Sequence, residues 1–439
     1  MKRTAAVTGG LAIAGPLKAL AGGGASAQAA SAIGYGPLKN KGDLWLPDGF
    51  KYKIISTEGE IMSDGNPTPS MFDGMAAFAG PRNTTILIRN HENRERAGEI
   101  PVVVPEPLRW DKQKLVSGAY KYNGGNTKLV LNRRGDLLSS FAILGGTSTN
   151  CAGGAMPWGS WITSEEIVSE GGVRHGYNFE IDADAAGPVQ AVPIVAAGRC
   201  VHEAVAWHKG ILYQTEDRGT DAALYRFLPN GRPRKPGDLA AMGGELQALK
   251  IAGQPNFNTS NRPPSMVLGQ AYPVEWTAAL SPDPAADTLR QEAKAKGSAL
   301  FDRQEGIWVG NNRVYFACTS GGTAGAGQVF EYDPNRSVLT LLYESPGPDQ
   351  LESPDNLLVT PFGDLLLCED GDDPQYIRGL TKKGRIYDFA RTQTRNSEFA
   401  GACFDPGGTI LFVNQQGTPA SGEKAVTYAI TGPWQRDED

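Results

Sequence analysis

The chain has 439 residues, with 55 glycines, 30 prolines, 8% aromatic content and a formal charge of −6. That composition suits many short strands and turns rather than long helices, and it supplies no general basic face for nucleic acid. After the first residues no apolar run is long enough to span a bilayer, so no stable membrane insertion is expected.

Residues 1–27 read as an export signal: Lys2-Arg3, an Ala/Gly/Leu stretch interrupted by Lys18, and Ala25-Ser26-Ala27 as a cleavage site. The weak apolar part suits a twin-arginine type signal, although the pair here is Lys-Arg. Residues 28–439 then read as one domain. Within it, the alternation over 50–56 marks a strand suited to closing a ring of blades by completing the last one.

Six segments follow, each reading as two short strands joined by a turn and each carrying a chemically loaded residue at one or both ends. FDGMAAFAGPRNTTILIRNHE sets Asp73 against Glu92. NCAGGAMPWGSWITSEE sets Cys151 against Glu165-Glu166, and HEAVAWHKGILYQTED sets Glu203 against Glu216-Asp217. QEGIWVGNNRVYFACTS begins at Glu305, SPDNLLVTPFGDLLLCED sets Asp355 against Glu369-Asp370, and the weaker EFAGACFDPGGTILFVNQ begins at Glu398. An antiparallel hairpin brings its two ends together, so each copy places its loaded ends at one side. Aromatic third strands such as QVFEYDPNR and GRIYDFART complete a repeat of about 45–50 residues, within the range of propeller blades. The predicted fold is all-β, a six-bladed β-propeller, with a partly helical insertion over 231–298 between blades three and four. PAADTLRQEAKAKG gives that insertion its helical part, and it reads as a surface decoration.

In such a ring Asp73, Cys151, Glu203, Glu305 and Asp355 would surround one opening with Glu92, Glu166, Glu216, Asp217, Glu369 and Asp370. Crowded carboxylates resist ionising together unless a cation offsets them, which argues for bound metal. Many carboxylates suit calcium, whereas one thiolate among them suits a transition metal such as iron or zinc. The other cysteines, at 200, 318, 368 and 403, read as small buried residues. His91 and His202 each precede an acid and are expected to hydrogen-bond behind the ligands, while His175 and His208 read as surface residues. Arg303, two residues before Glu305, falls on the same strand face and supplies a cation suited to holding an anion. These residues alone leave two classes open, a metal-dependent hydrolase and a calcium-stabilised binding propeller, with a propeller lactonase as a further enzyme alternative.

The motifs RNHE, NCAGGAMPWGSWITSEE, HEAV, TEDRG, YRFLP, RQEGIWV and SPDNL resemble those of the PhoX-type alkaline phosphatases over nearly the whole chain after the signal. The resemblance implies a phosphomonoester hydrolase, exported to the periplasm or the exterior, with ferric iron and calcium as cofactors. It implies Cys151 as the iron thiolate and Glu92, Glu166, Glu203, Glu216 and Glu305 as ligands. Asp217, Asp355, Glu369 and Asp370 would serve calcium, and Arg303 would clamp the phosphate. The partner is then a small phosphorylated substrate, and the chain is expected to act as a monomer.

Overall fold

A computed structural model describes residues 33–169, 172–372 and 374–434; the predicted export signal lies outside the described residues. All six expected hairpins form. They are β1 (Phe72–Ala79) with β2 (Thr85–His91), β3 (Asn150–Met156) with β4 (Ser160–Glu165), and β5 (His202–His208) with β6 (Ile211–Glu216). Further along are β7 (Gln304–Gly310) with β8 (Arg313–Cys318), β9 (Pro354–Val359) with β10 (Leu365–Glu369), and β11 (Phe399–Phe404) with β12 (Ile410–Gln415). Local chemistry explains several turns. Asn311-Asn312 joins β7 to β8 with both residues at positive φ, the conformation a two-residue hairpin needs and asparagine tolerates.

The first strands of the hairpins pack side by side, β1 on β3, β3 on β5, and on through β7, β9 and β11 back to β1. Their approach is close enough to dictate residue size. A Cβ at Gly154 would lie 2.0 Å from the carbonyl oxygen of Val205, and one at Gly74 would lie 2.6 Å from Cα of Ala152.

The arrangement of the sheets corrects the expected six-bladed propeller. Four sheets stand as blades: one carries β1 and β2, one β3 and β4, one β9 and β10, and one β11 and β12. The last is completed by Lys51–Thr57 pairing with Val426–Thr431, as the sequence suggested. The third and fourth repeats are instead one nine-stranded sheet with β5 at one edge and β7 at the other. These two edges pack against each other, so the sheet is a nearly closed barrel.

The insertion causes this fusion. Its strand Ala271–Trp276 pairs with Gly244–Ile251 on one side and Val338–Glu344 on the other, filling the two outer edges that separate blades would leave open. Tyr272 and Val274 from that strand join the core formed by Tyr332, Leu339 and Phe330. The 231–298 segment is therefore part of the framework, not a decoration, and its helix Leu289–Ala295 falls where the composition placed it.

Candidate metal centre

One backbone device recurs in every hairpin and aims the site. A residue just past the second strand donates its N–H to the carbonyl of the residue leading into the first: Glu92 to Met71, Glu166 to Thr149, Asp217 to Val201, Thr319 to Arg303, Asp370 to Ser353 and Gln416 to Glu398. The pairing register then shifts immediately after Phe72, Asn150, His202, Gln304 and Pro354. The residue opening each bulge is Asp73, Cys151, Glu203, Glu305 or Asp355. A bulge adds one residue on one strand and re-aims its side chain, which is why these five converge.

Ligand atoms of four overlapping groups lie within 4.8 Å of one another: Asp73, Glu92 and Cys151; Cys151, Glu166 and Glu203; Glu203, Glu305 and Asp355; Asp355, Asp370 and Glu398. Shared members link them into one cluster of eight carboxylates and a thiol. Both carboxylate oxygens of Glu203, fully buried, have no hydrogen-bond partner, and neither does Oδ1 of Asp355. Burial first, and mutual repulsion second, push Asp73, Glu166, Glu203, Glu305 and Glu398 well above the usual carboxylate range, and Asp355 up to about 7. The Cys151 thiol is raised by burial and then by the acids around it. A buried carboxylate with two unpartnered oxygens is costly unless it is protonated or faces a cation. The donor set therefore fits bound metal.

Two of the residues expected at the opening are not brought there. In the acidic pairs 165–166, 216–217 and 369–370, strand alternation turns the first member away and the second inward. Glu216 accepts from the hydroxyl of Tyr225 at 2.8 Å, and Glu369 from Nε of Arg378 at 2.9 Å. Asp217 faces the opening but is taken up by Arg303, whose Nε and one terminal nitrogen reach its two oxygens at 3.0 and 2.8 Å. The same nitrogen lies 3.0 Å from Glu305. Burial works against the charge on Arg303, but these carboxylates outweigh it and hold its pKa above the usual value.

The histidines also differ from expectation. His91 contacts the carbonyl of Ser70 and the hydroxyl of Thr127, and His202 contacts the carbonyl of Gly198, so these hydrogen bonds go to neighbouring segments rather than to the acids. His175, expected at the surface, is buried between Glu165 at 2.6 Å and Asp111 at 3.4 Å, and His208 is buried as well. The four remaining cysteines are buried, as expected.

Glu398 and Arg94 were not anticipated at the site. Glu398 holds the lead-in position of the sixth hairpin, a place its repeat spacing marked, while Ala400 stands where the other five copies carry an acid or thiol. Arg94, just beyond Glu92, donates to Glu92 and reaches Glu166 at 3.2 Å. Only the charge-rich run RNHENRER signalled it. A cavity of about 370 Å³ opens above the cluster, bordered by Glu92, Cys151, Glu166, Glu305, Asp355, Asp370 and Glu398 with Arg94, Arg96 and Arg303.

Fold and site together define a protein of the bladed β class with a carboxylate-rich candidate metal site. The sequence pattern described as "Alkaline phosphatase PhoX" matches residues 33–419. The chain belongs to that family and is a phosphatase-type hydrolase. A solved structure of Pseudomonas fluorescens PhoX in complex with vanadate, a transition state analogue, is similar in fold, with a TM-score of 0.68 at 16% identity, covering 90% of this chain and 97% of that one. Lower similarity is found to XC5397 of Xanthomonas campestris, a gluconolactonase, with a TM-score of 0.40 at 13% identity, covering 91% and 99%. A Dyadobacter fermentans protein of unknown function gives a TM-score of 0.47 at 7% identity, covering 88% and 100%. No curated protein matches the chain.

Proposed function

We propose that the cavity hydrolyses phosphomonoesters, with ferric iron and calcium held on its acidic floor. The observation that carries this reading is Glu203, a buried carboxylate with no N–H or O–H donor to either oxygen and only the Cys151 thiol beside it, set between that thiol and the remaining acids. The groups containing Cys151 have the mixed sulfur and oxygen donors that suit iron, and the all-oxygen groups around Asp355 suit calcium. When bound, the cations supply the positive charge that lets phosphoryl oxygens approach an otherwise repelling floor.

The chain's own residues provide orientation. Arg303 is locked by Asp217 and Glu305 through Nε and one terminal nitrogen, which leaves its other terminal nitrogen free to donate to a phosphoryl oxygen. Arg94 bridges Glu92 and Glu166 through one terminal nitrogen. Family membership and the features of residues 1–27 support export to the periplasm or the exterior.

Elemental analysis of purified protein, combined with turnover of p-nitrophenyl phosphate, a phosphodiester and a lactone, tests the reading. Iron and calcium with preferred monoester hydrolysis are expected. Active protein containing neither metal, or hydrolysis of the lactone alone, would overturn it.

A further inference from the structure

We propose that Arg96 forms a leaving-group subsite that selects phosphomonoesters bearing a second anionic group. This rests on the phosphatase reading above. Three arginines border the cavity, and two are committed: Arg303 to Asp217 and Glu305, Arg94 to Glu92 and Glu166. Arg96 is exposed, and among the described residues no carboxylate lies within ion-pair distance of its guanidinium.

Its loop is built rather than slack. Oε2 of Glu99 accepts the backbone N–H groups of Arg94 and Arg96, each at 3.0 Å. The amide of Asn93 donates to the carbonyls of Ile100 and Asn123 at 2.8 and 3.2 Å. Glu95, at positive φ, accepts from the N–H of Asn123 at 3.1 Å and from the hydroxyl of Ser148 at 3.0 Å. Three side chains thus fix where Arg96 leaves the backbone at the rim.

The cavity wall beyond the cluster is mostly neutral, with Asn396, Ser397 and Thr418, and Asp372 is its one further carboxylate among the described residues. The alcohol portion of an ester whose phosphoryl group sits on the floor would share this cavity with the Arg96 guanidinium, on which Glu99 acts only from beyond ion-pair distance. Arginine is suited to take a carboxylate or a second phosphate there through two parallel hydrogen bonds.

The test compares 3-phosphoglycerate with glycerol 3-phosphate on the metal-loaded enzyme, because the two differ by a carboxylate in place of a hydroxymethyl group. Wild type should favour 3-phosphoglycerate about tenfold in kcat/KM at low ionic strength, and less at high salt. R96Q should remove that preference through KM while changing glycerol 3-phosphate hydrolysis less than about twofold, and R96K should keep part of it. Equal use of both substrates by wild type, or an equal loss on both in R96Q, overturns the subsite while leaving the phosphatase reading standing. Failure of wild type to hydrolyse either strikes the phosphatase reading itself and the subsite with it.

Discussion

Arg303 takes its orientation from charge rather than from packing, since its side chain is half-exposed and its fork closes on Asp217. A lysine keeps the charge but cannot make both bonds to Asp217 and still offer a donor to phosphate. Arg303→Lys should raise KM and weaken inhibition by inorganic phosphate by roughly ten- to hundredfold, the effect of losing one charge-assisted bond. Iron and calcium content should not change; wild-type KM and phosphate inhibition in the variant would place the side chain outside substrate binding. Cys151 invites a different comparison. Burial and surrounding acids raise its pKa, which opposes a role as free nucleophile. Cys151→Ala should lose most of its iron and remain folded, as judged by metal analysis and circular dichroism on one sample. Full iron with turnover alone abolished would favour the nucleophile instead.

At the scale of the hairpin, the acidic pairs divide labour by strand alternation. Of the inward members, Glu166 and Asp370 line the cavity and Asp217 pairs with Arg303, and the outward members hold the next segment: Glu165 through His175 and the N–H groups of Gly176 and Tyr177, Glu216 through Tyr225, Glu369 through Arg378. Glu216 makes the cost of this arrangement measurable. Burial raises its pKa from 4.5 to about 7, outweighing the Tyr225 hydrogen bond and the Arg290 charge. The folded state therefore holds this proton more tightly than the unfolded chain does. Its stabilising effect is full below about pH 4.5 and is lost as pH rises through about 7, by roughly 3 kcal/mol at most. Glu216→Gln should melt increasingly above wild type between pH 5 and pH 8. A difference in melting temperature that stays constant with pH would show that the carboxyl does not carry this shift.

The cluster draws residues from all six hairpins, so a metal bound there would also fasten the hairpins to one another. Chelation should abolish phosphatase activity and lower the melting temperature together, with calcium and iron restoring both. Activity lost at an unchanged melting temperature would mean that the ligated strands are held by packing alone. The recurrence of loaded hairpin ends was legible in the sequence because a hairpin is local: Cys151 and Glu166 meet through a turn that their own segment encodes. That these ends form a candidate metal-binding cluster was legible too, since crowded carboxylates with a thiol among them resist ionising together without a cation. Three things were decided only in three dimensions. Whether Glu216 or Asp217 points inward depends on where pairing begins and where the bulge falls. Glu398 joins the cluster because its hairpin is brought beside β9, a neighbour supplied by another repeat. The fusion of the third and fourth repeats depends on Ala271–Trp276 finding Val338–Glu344, a partner distant in the chain. Edge pairing of that kind is satisfied by any exposed strand of matching register, so neither partner carries a local sequence mark of the other.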